Sequence, residues 1–244
     1  MQFYHSNLLN SVINVTHVFT TKESGNLAFH INETPLAVMD NHKKLAKELG
    51  YEKKSLIHMK QFHSSLVHIV TDADNFTNPK ECDALITNKK NTPLMVMVAD
   101  CSPVLFYDPF QEVIAVAHAG RQGTFKNIVK NTIESMHSNF NSKSENISVV
   151  IGASIGECCY EVGEEIYKEA SSLSLEYAFR KKGEKYHLNI SKILLAQLLA
   201  SGIKEEHIDI SKECTCCLSE TYYSYRAESI TGRFAGVILL KNSI

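Results

Sequence analysis

The sequence predicts a mixed α/β domain. Three observations carry this: short β-branched apolar runs suited to buried strands, amphipathic stretches at helical spacing between them, and no linker or repeat that divides the chain. The strand-like runs are 94–99, 103–107, 113–117, 147–151 and 234–240, and 61–70 reads as a further strand. Helices are predicted where the apolar period lengthens. Pro35 sits where a helix can begin, Leu36, Met39, Leu45 and Leu49 keep close to helical spacing, and Gly50 closes the element. From Thr124 onward, Phe125, Ile128, Val129, Ile133 and Met136 share one face. Two more helices are expected over 161–173 and 191–200.

At 244 residues, with 44% hydrophobic and 21% charged content, the chain has the size and balance of one globular domain, and residues 1–244 are expected to form one. With 25 basic and 27 acidic residues the formal net charge is -2, so there is no electrostatic footprint for nucleic acid or an anionic membrane, and neither is expected as a partner. An anionic ligand must be held locally. No apolar run approaches the roughly 18 to 20 residues of a membrane helix. The first residues also lack the basic and apolar blocks of a signal peptide, so a cytoplasmic location is expected. Seven cysteines, an odd number without an export signal, read as thiols or metal ligands rather than as a disulfide framework.

The segment PVLFYDPFQEVIAVAH predicts a hairpin, because Asp108-Pro109 is a turn signal between two strand-like runs. With Pro109 and Phe110 at its centre, Tyr107 faces Glu112, Leu105 faces Ile114, Pro103 faces Val116, and Cys101 faces His118. Opposed residues in antiparallel strands have Cβ atoms about 4.5 to 5.5 Å apart, close enough for a thiol and an imidazole to share a metal. A third donor is still required.

The motifs AVMDNHKKLAKELG, KQFHSSLVHIV, CDALITN, VADCSPVLFYDP, VAHAGRQGT, SIGECCYEVG and SYRAESITGR occur in the order found in the YfiH or laccase-domain family, which the chain resembles over nearly its whole length. That resemblance implies an α+β fold: a single-domain layered sandwich of mixed β-sheet flanked by helices. It implies a metal site on His63 of QFH, Cys101 of ADC and His118 of AHAG. The family has been described as multicopper polyphenol oxidases, and its members include purine nucleoside phosphorylases with adenosine deaminase and methylthioadenosine phosphorylase activity. Purine nucleosides and phosphate are therefore the expected small-molecule partners.

Two imidazoles and a thiolate suit Zn2+, with Cu2+ as the alternative, and three protein ligands leave a fourth position open as catalytic zinc sites do. Zinc acidifies bound water, which accounts for deamination at C6 of adenine; phosphorolysis instead needs a held phosphate attacking C1' of the ribose. Candidates for the phosphate are Gly120 and Gly123, between a strand and a helix, with Arg121, Arg226 and Arg233. The family's HAGWRG reads HAGRQG here, placing Arg121 at the tryptophan position and Gln122 at the arginine position.

Asp100 is a candidate to orient a histidine or move a proton, and Gln61 shares the face of His63 if that stretch is extended. Cys214, Cys216 and Cys217, with Cys158 and Cys159, are read as buried structural thiols, because a CxCC spacing departs from the CxxC of ordinary zinc sites. Two rival functions follow from the same residues. A copper polyphenol oxidase would use the two histidines and the cysteine, but none of the 11 histidines forms the HxH pairs of a trinuclear copper centre. A hydrolase correcting peptidoglycan precursors would use Cys101 as nucleophile and His118 as base.

Overall fold

Alternating side chains on the strands Ser102–Asp108 and Val113–Ala119 enter two different cores, and this decides the architecture. In the computed structural model, which describes residues 1–10, 12–31 and 33–242, Val104, Phe106, Ala115 and Ala117 face the helices Ile128–Phe140 and Ile190–Ala200. Leu105, Tyr107, Ile114 and Val116 face a second sheet. Strands buried on both faces are written as continuous apolar runs, which is why these segments stand out in the sequence.

The larger sheet has six strands in the order Ile208–Ile210, Ser148–Ile151, Ser102–Asp108, Val113–Ala119, Ala84–Thr87, Val67–Ile69. Its outermost pairs are parallel and its inner pairs antiparallel. The smaller sheet, Phe3–Tyr4, Val15–Thr20, Phe234–Leu240, Leu94–Val98, is antiparallel throughout. Its outer face packs Val18, Met95 and Val237 against Leu45 and Leu49 of the helix Pro35–Leu49. The layers run helix, sheet, sheet, helix: the expected sandwich, with ten strands divided between two facing sheets and a three-stranded and a two-stranded sheet beside them. Among the described residues, no helix is long and apolar enough to cross a membrane.

The helix Pro35–Leu49 has the expected ends: the Thr34 side chain accepts a hydrogen bond from the amide of Ala37 at 3.3 Å, and Gly50 closes it at φ 72°. Other elements depart from expectation for local reasons. The helix expected from Thr124 is two, Arg121–Phe125 and Ile128–Phe140, separated at Asn127 with φ 61°. The Gln197 amide braces the break, donating to the carbonyl of Thr124 at 2.8 Å and to Oδ1 of Asn127 at 2.9 Å. The start of the expected helix 161–173 is instead the strand Glu161–Val162, paired with Lys185–Leu188, and the helix is Glu164–Ser172. The expected strand 61–70 is not continuous: Met59–Lys60 pairs with Lys80–Glu81, Val67–Ile69 joins the large sheet, and between them the chain bends through His63 at φ 63°.

The hairpin also differs in register. Its turn spans four residues because Oδ1 of Asp108 accepts from the amides of both Phe110, at 2.9 Å, and Gln111, at 3.2 Å, with Glu112 at φ 49°. Tyr107 therefore pairs with Ile114, Leu105 with Val116 and Pro103 with His118, two residues away from the expected register. A shift of two keeps every side chain on its expected face. Cys101 lies just before its strand begins, diagonal to His118 rather than directly across from it.

Candidate metal centre

Asp83, at 0% exposure, organises the site. It immediately precedes the strand Ala84–Thr87 and accepts from Nδ1 of His118 at 2.8 Å, from the Ser64 hydroxyl at 2.7 Å, and from the amides of Phe62, His63 and Ser64 at 3.4, 3.1 and 2.7 Å. Three successive N–H groups converging on one carboxylate demand a tight bend, and His63 adopts its left-handed conformation in the middle of it. The carbonyl of Asp83 also accepts the amide of His118 at 2.7 Å. One residue thus aims both histidines, His63 through its backbone and His118 through its ring. Burial pushes the Asp83 carboxyl up, but the hydrogen bonds from His118 and Ser64 outweigh it and hold the group at about 2.

Asp83 is one site residue that sequence reasoning missed. The available signal was a single carboxylate abutting the fully apolar strand start Ala84–Leu85–Ile86, a position that burial permits only to a paired charge.

The cage itself forms where these bends meet. Nε2 of His63 lies 3.7 Å from Sγ of Cys101, the two imidazole centroids are 4.7 Å apart at 69°, and one donor atom from each of His63, Cys101 and His118 lies within 4.8 Å of the others. Zinc bonds of about 2.3 Å to sulfur and 2.0 to 2.1 Å to nitrogen at a tetrahedral angle would set the two atoms about 3.6 Å apart, so the donors fit the ion. Burial opposes ionisation of the Cys101 thiol, yet the adjacent His118 and His63 bring it well below the usual thiol range. The same thiolate, with Asp83, raises His118 against the effect of burial. Among the described residues two groups of three or more ligating side chains converge, this trio and a set of four cysteines, and neither is the histidine cluster of a trinuclear copper centre.

Gly120 closes the cage on one side. A Cβ there would stand 2.8 Å from both Sγ of Cys101 and Cδ2 of His63, so the position is glycine for space. Gly120→Ala is expected to push the two ligands apart, and elemental analysis should find bound metal reduced to a small fraction of wild type while circular dichroism stays native. A variant that retains a full metal complement would show the cage to be looser than these distances imply.

Above the trio lies a cavity of about 730 Å³, whose lining includes Gln61, Asp100, Gly120, Arg121, Arg226 and Arg233, together with Phe29, Tyr160 and Tyr225. Sequence reasoning gave no sign of these three aromatic residues, which stand on connecting segments and a short helix, without periodicity. Of the expected site residues only Gly123 is outside the lining: it is buried in the helix Arg121–Phe125, where a Cβ would meet the carbonyl of Ser64 at 3.0 Å. Gln61 clamps the strand Leu94–Val98, donating to the carbonyl of Met97 at 2.7 Å and accepting its amide at 2.9 Å.

Asp100, at φ 86°, accepts from Oγ1 of Thr215 at 2.6 Å, Oγ of Ser224 at 2.7 Å and the Arg226 amide at 2.6 Å. The histidine-orienting carboxylate expected at Asp100 is Asp83. Arg121 pairs with Glu169 at 2.5 Å, whereas Arg226 donates to the carbonyls of Cys159 and Glu161, and Arg233 to those of Thr231 and Gly232. Among the described residues the arginines in ion pairs are Arg121 and Arg180, so Arg226 and Arg233 face the cavity without a carboxylate partner.

A histidine–cysteine–histidine trio that could hold a metal, beneath a polar-rimmed cavity on a two-sheet sandwich, defines an α/β protein of the laccase-domain kind. Residues 16–241 match the family described as multi-copper polyphenol oxidoreductase laccase, and the chain belongs to that family. The purine nucleoside phosphorylase of Corynebacterium glutamicum is 36% identical, the match covering 93% of this chain and 94% of that one. The purine nucleoside phosphorylase YlmD of Bacillus subtilis is 30% identical over 92% of this chain and 88% of its own. Among solved structures, YfiH of Bacillus licheniformis superimposes with a TM-score of 0.89 at 31% identity over 93% of both chains. YlmD of Geobacillus stearothermophilus does so with a TM-score of 0.90 at 25% identity over 97% of this chain and 94% of that one. The family resemblance and the layered fold expected from the motifs both hold.

Proposed function

We propose that the chain is a metal-dependent purine nucleoside phosphorylase that cleaves adenosine, inosine or methylthioadenosine with phosphate, releasing the base and the sugar 1-phosphate, and that it deaminates adenosine at the same site. The whole of residues 1–244 acts as one catalytic domain in this reading. The observation that carries it is the convergence of His63, Cys101 and His118 beneath a cavity that also presents two arginines free of carboxylates. The names of the Corynebacterium and Bacillus relatives support it.

His63, Cys101 and His118 would hold Zn2+, with Cu2+ as the alternative. When bound, the ion supplies a Lewis acid that polarises an oxygen or nitrogen of the nucleoside and favours deprotonation of water. Asp83 keeps a proton on Nδ1 of His118, which leaves Nε2 as the ring nitrogen that would bind the ion. Arg233, with Arg226 lining the same cavity, binds the phosphate dianion through its guanidinium fork. A phosphate oxygen then attacks C1', the N-glycosidic bond breaks, and the purine leaves with a proton. Positive charge developing on the sugar is offset by the phosphate held beside it. The rings of Phe29 and Tyr160 give the base apolar faces to lie against and keep water from competing with phosphate. Arg121 is committed to Glu169, so the phosphate is assigned to the other two arginines.

The test is a product assay on adenosine, inosine and methylthioadenosine, with and without phosphate, on protein of measured zinc content. Base release that rises with phosphate is expected, together with phosphate-independent conversion of adenosine to inosine. Fully loaded protein that releases no base in phosphate sinks the proposal. Arg233→Met should raise the KM for phosphate about tenfold or more, the weight of one charge-assisted hydrogen bond, with the nucleoside KM nearly unchanged. An unchanged phosphate KM would move the anion site elsewhere. The depressed thiol of Cys101 beside two imidazoles also favours a second reading, a thiol hydrolase acting on peptidoglycan precursors. A covalent adduct on Cys101 in metal-free protein, without phosphorolysis in the loaded form, would put that reading in place of the first.

A further inference from the structure

Of the six cysteines outside the cage, four converge, and as a group they are not the buried thiols the sequence suggested. Cys158 and Cys217 are exposed, Cys159 is half-buried, and only Cys214 is buried. They come from two segments joined by an isolated parallel bridge between Ser154 and Cys214. Sγ of Cys217 lies 3.5 Å from Sγ of Cys158 and 3.4 Å from Sγ of Cys159, and all four sulfurs are within 4.8 Å of one another. The fifth cysteine of the motif, Cys216, is not among them. Setting it aside shows that Cys214 and Cys217 stand at CxxC spacing, which the intervening cysteine hides in the sequence.

Two further features suit a metal. A tetrahedron with bonds of about 2.3 Å to sulfur has edges of about 3.8 Å, inside the range these sulfurs span. The backbone N–H of Gly156 donates to Sγ of Cys214 at 3.2 Å, a contact of the kind a metal-bound sulfur accepts.

We propose that Cys158, Cys159, Cys214 and Cys217 bind a second metal ion, a Zn2+ held by four thiolates in a closed, structural site. Its place in the fold gives it a consequence for the cavity. Thr215, inside the CxxC loop, donates to Asp100, while Arg226 donates to the carbonyl of Cys159 at 2.8 Å and Tyr160 follows directly in the chain. The ion therefore fastens together the two segments that support Tyr160, Arg226 and Asp100 on the cavity rim. The site stands whether or not the chain is a phosphorylase, since it is read from metal content.

The test uses full-length protein purified anaerobically under reducing conditions. Wild type should carry two zinc ions, the His63→Ala, Cys101→Ser double variant one, and Cys217→Ser one, while Cys216→Ser keeps both. Cobalt loaded into the His63→Ala, Cys101→Ser variant should show intense thiolate-to-metal charge transfer and the strong d–d bands of a tetrahedral four-sulfur site, and both should vanish on adding Cys158→Ser. If the double variant misfolds, the loss of one of two zinc ions in Cys217→Ser decides the question. A folded double variant that binds neither zinc nor cobalt overturns the proposal. So does a disulfide among the four cysteines in the reduced protein, iron–sulfur absorption from this site, or a Cys217→Ser protein with undiminished zinc.

Discussion

Cys101→Ser is expected to release the cage metal and to lower phosphorolysis by about three orders of magnitude, the scale on which a single preorganised catalytic group acts. Serine is nearly isosteric, and its hydroxyl stays protonated near neutral pH, so two imidazoles remain without the anionic ligand that holds a divalent ion between them. The position lies before its strand and is only half-buried, so the metal-free proteins should melt within a few degrees of each other. Metal analysis, calorimetry and kcat/KM on the same preparations check all three statements, and near-normal turnover by metal-depleted variant would show that the reaction does not need the cage. The wild-type site carries its own pH signature. Protons compete with the metal for the Cys101 thiolate and for the His118 ring, so the site's hold on the metal should weaken steadily as pH falls.

Asp83→Ala is expected to be the most destabilising of the substitutions considered. It strips five donors of their shared acceptor in a buried place, at a cost of about 3 to 5 kcal/mol, and frees both histidines, so that metal affinity falls about 10- to 100-fold. Asp83→Asn should fall between, since an amide oxygen satisfies some of the donors while its NH2 group opposes others. The acid limb of stability should report the same residue. Its carboxyl is depressed in the fold from 3.8 to about 2, so the stabilisation, about 2 kcal/mol, is present above pH 4 and is lost as pH falls toward 2. Acid unfolding of Asp83→Asn that retains this window unchanged would assign the charge-dependent stability to another group.

The fold was largely readable from the chain because its strands are buried on both faces and so appear as unbroken apolar runs, most clearly Leu94–Val98 and Phe234–Leu240. The hairpin was readable in kind but not in register, since the length of its turn is set by one side chain, Asp108, reaching two amides. Cys101 and His118 still came together because the error was an even number of residues. His63 could be placed only through its motif. Its direction depends on a left-handed bend gathered by a carboxylate 20 residues away, and local pattern carries no trace of such a partner. The same limit concealed Asp83 and hid the CxxC pair behind Cys216.

The cavity is made of two unlike materials. Its base rests on sheet-anchored positions, with His118 inside a central strand and Asp83 at the foot of its neighbour, while its mouth is drawn from connecting segments and the one-turn helix Tyr225–Glu228. Such a division lets the mouth drift, through changes at Phe29, Tyr225 or the arginines, without disturbing the ligands beneath. Substitution at the rim would thus alter what enters the cavity while leaving the floor able to hold the same ion.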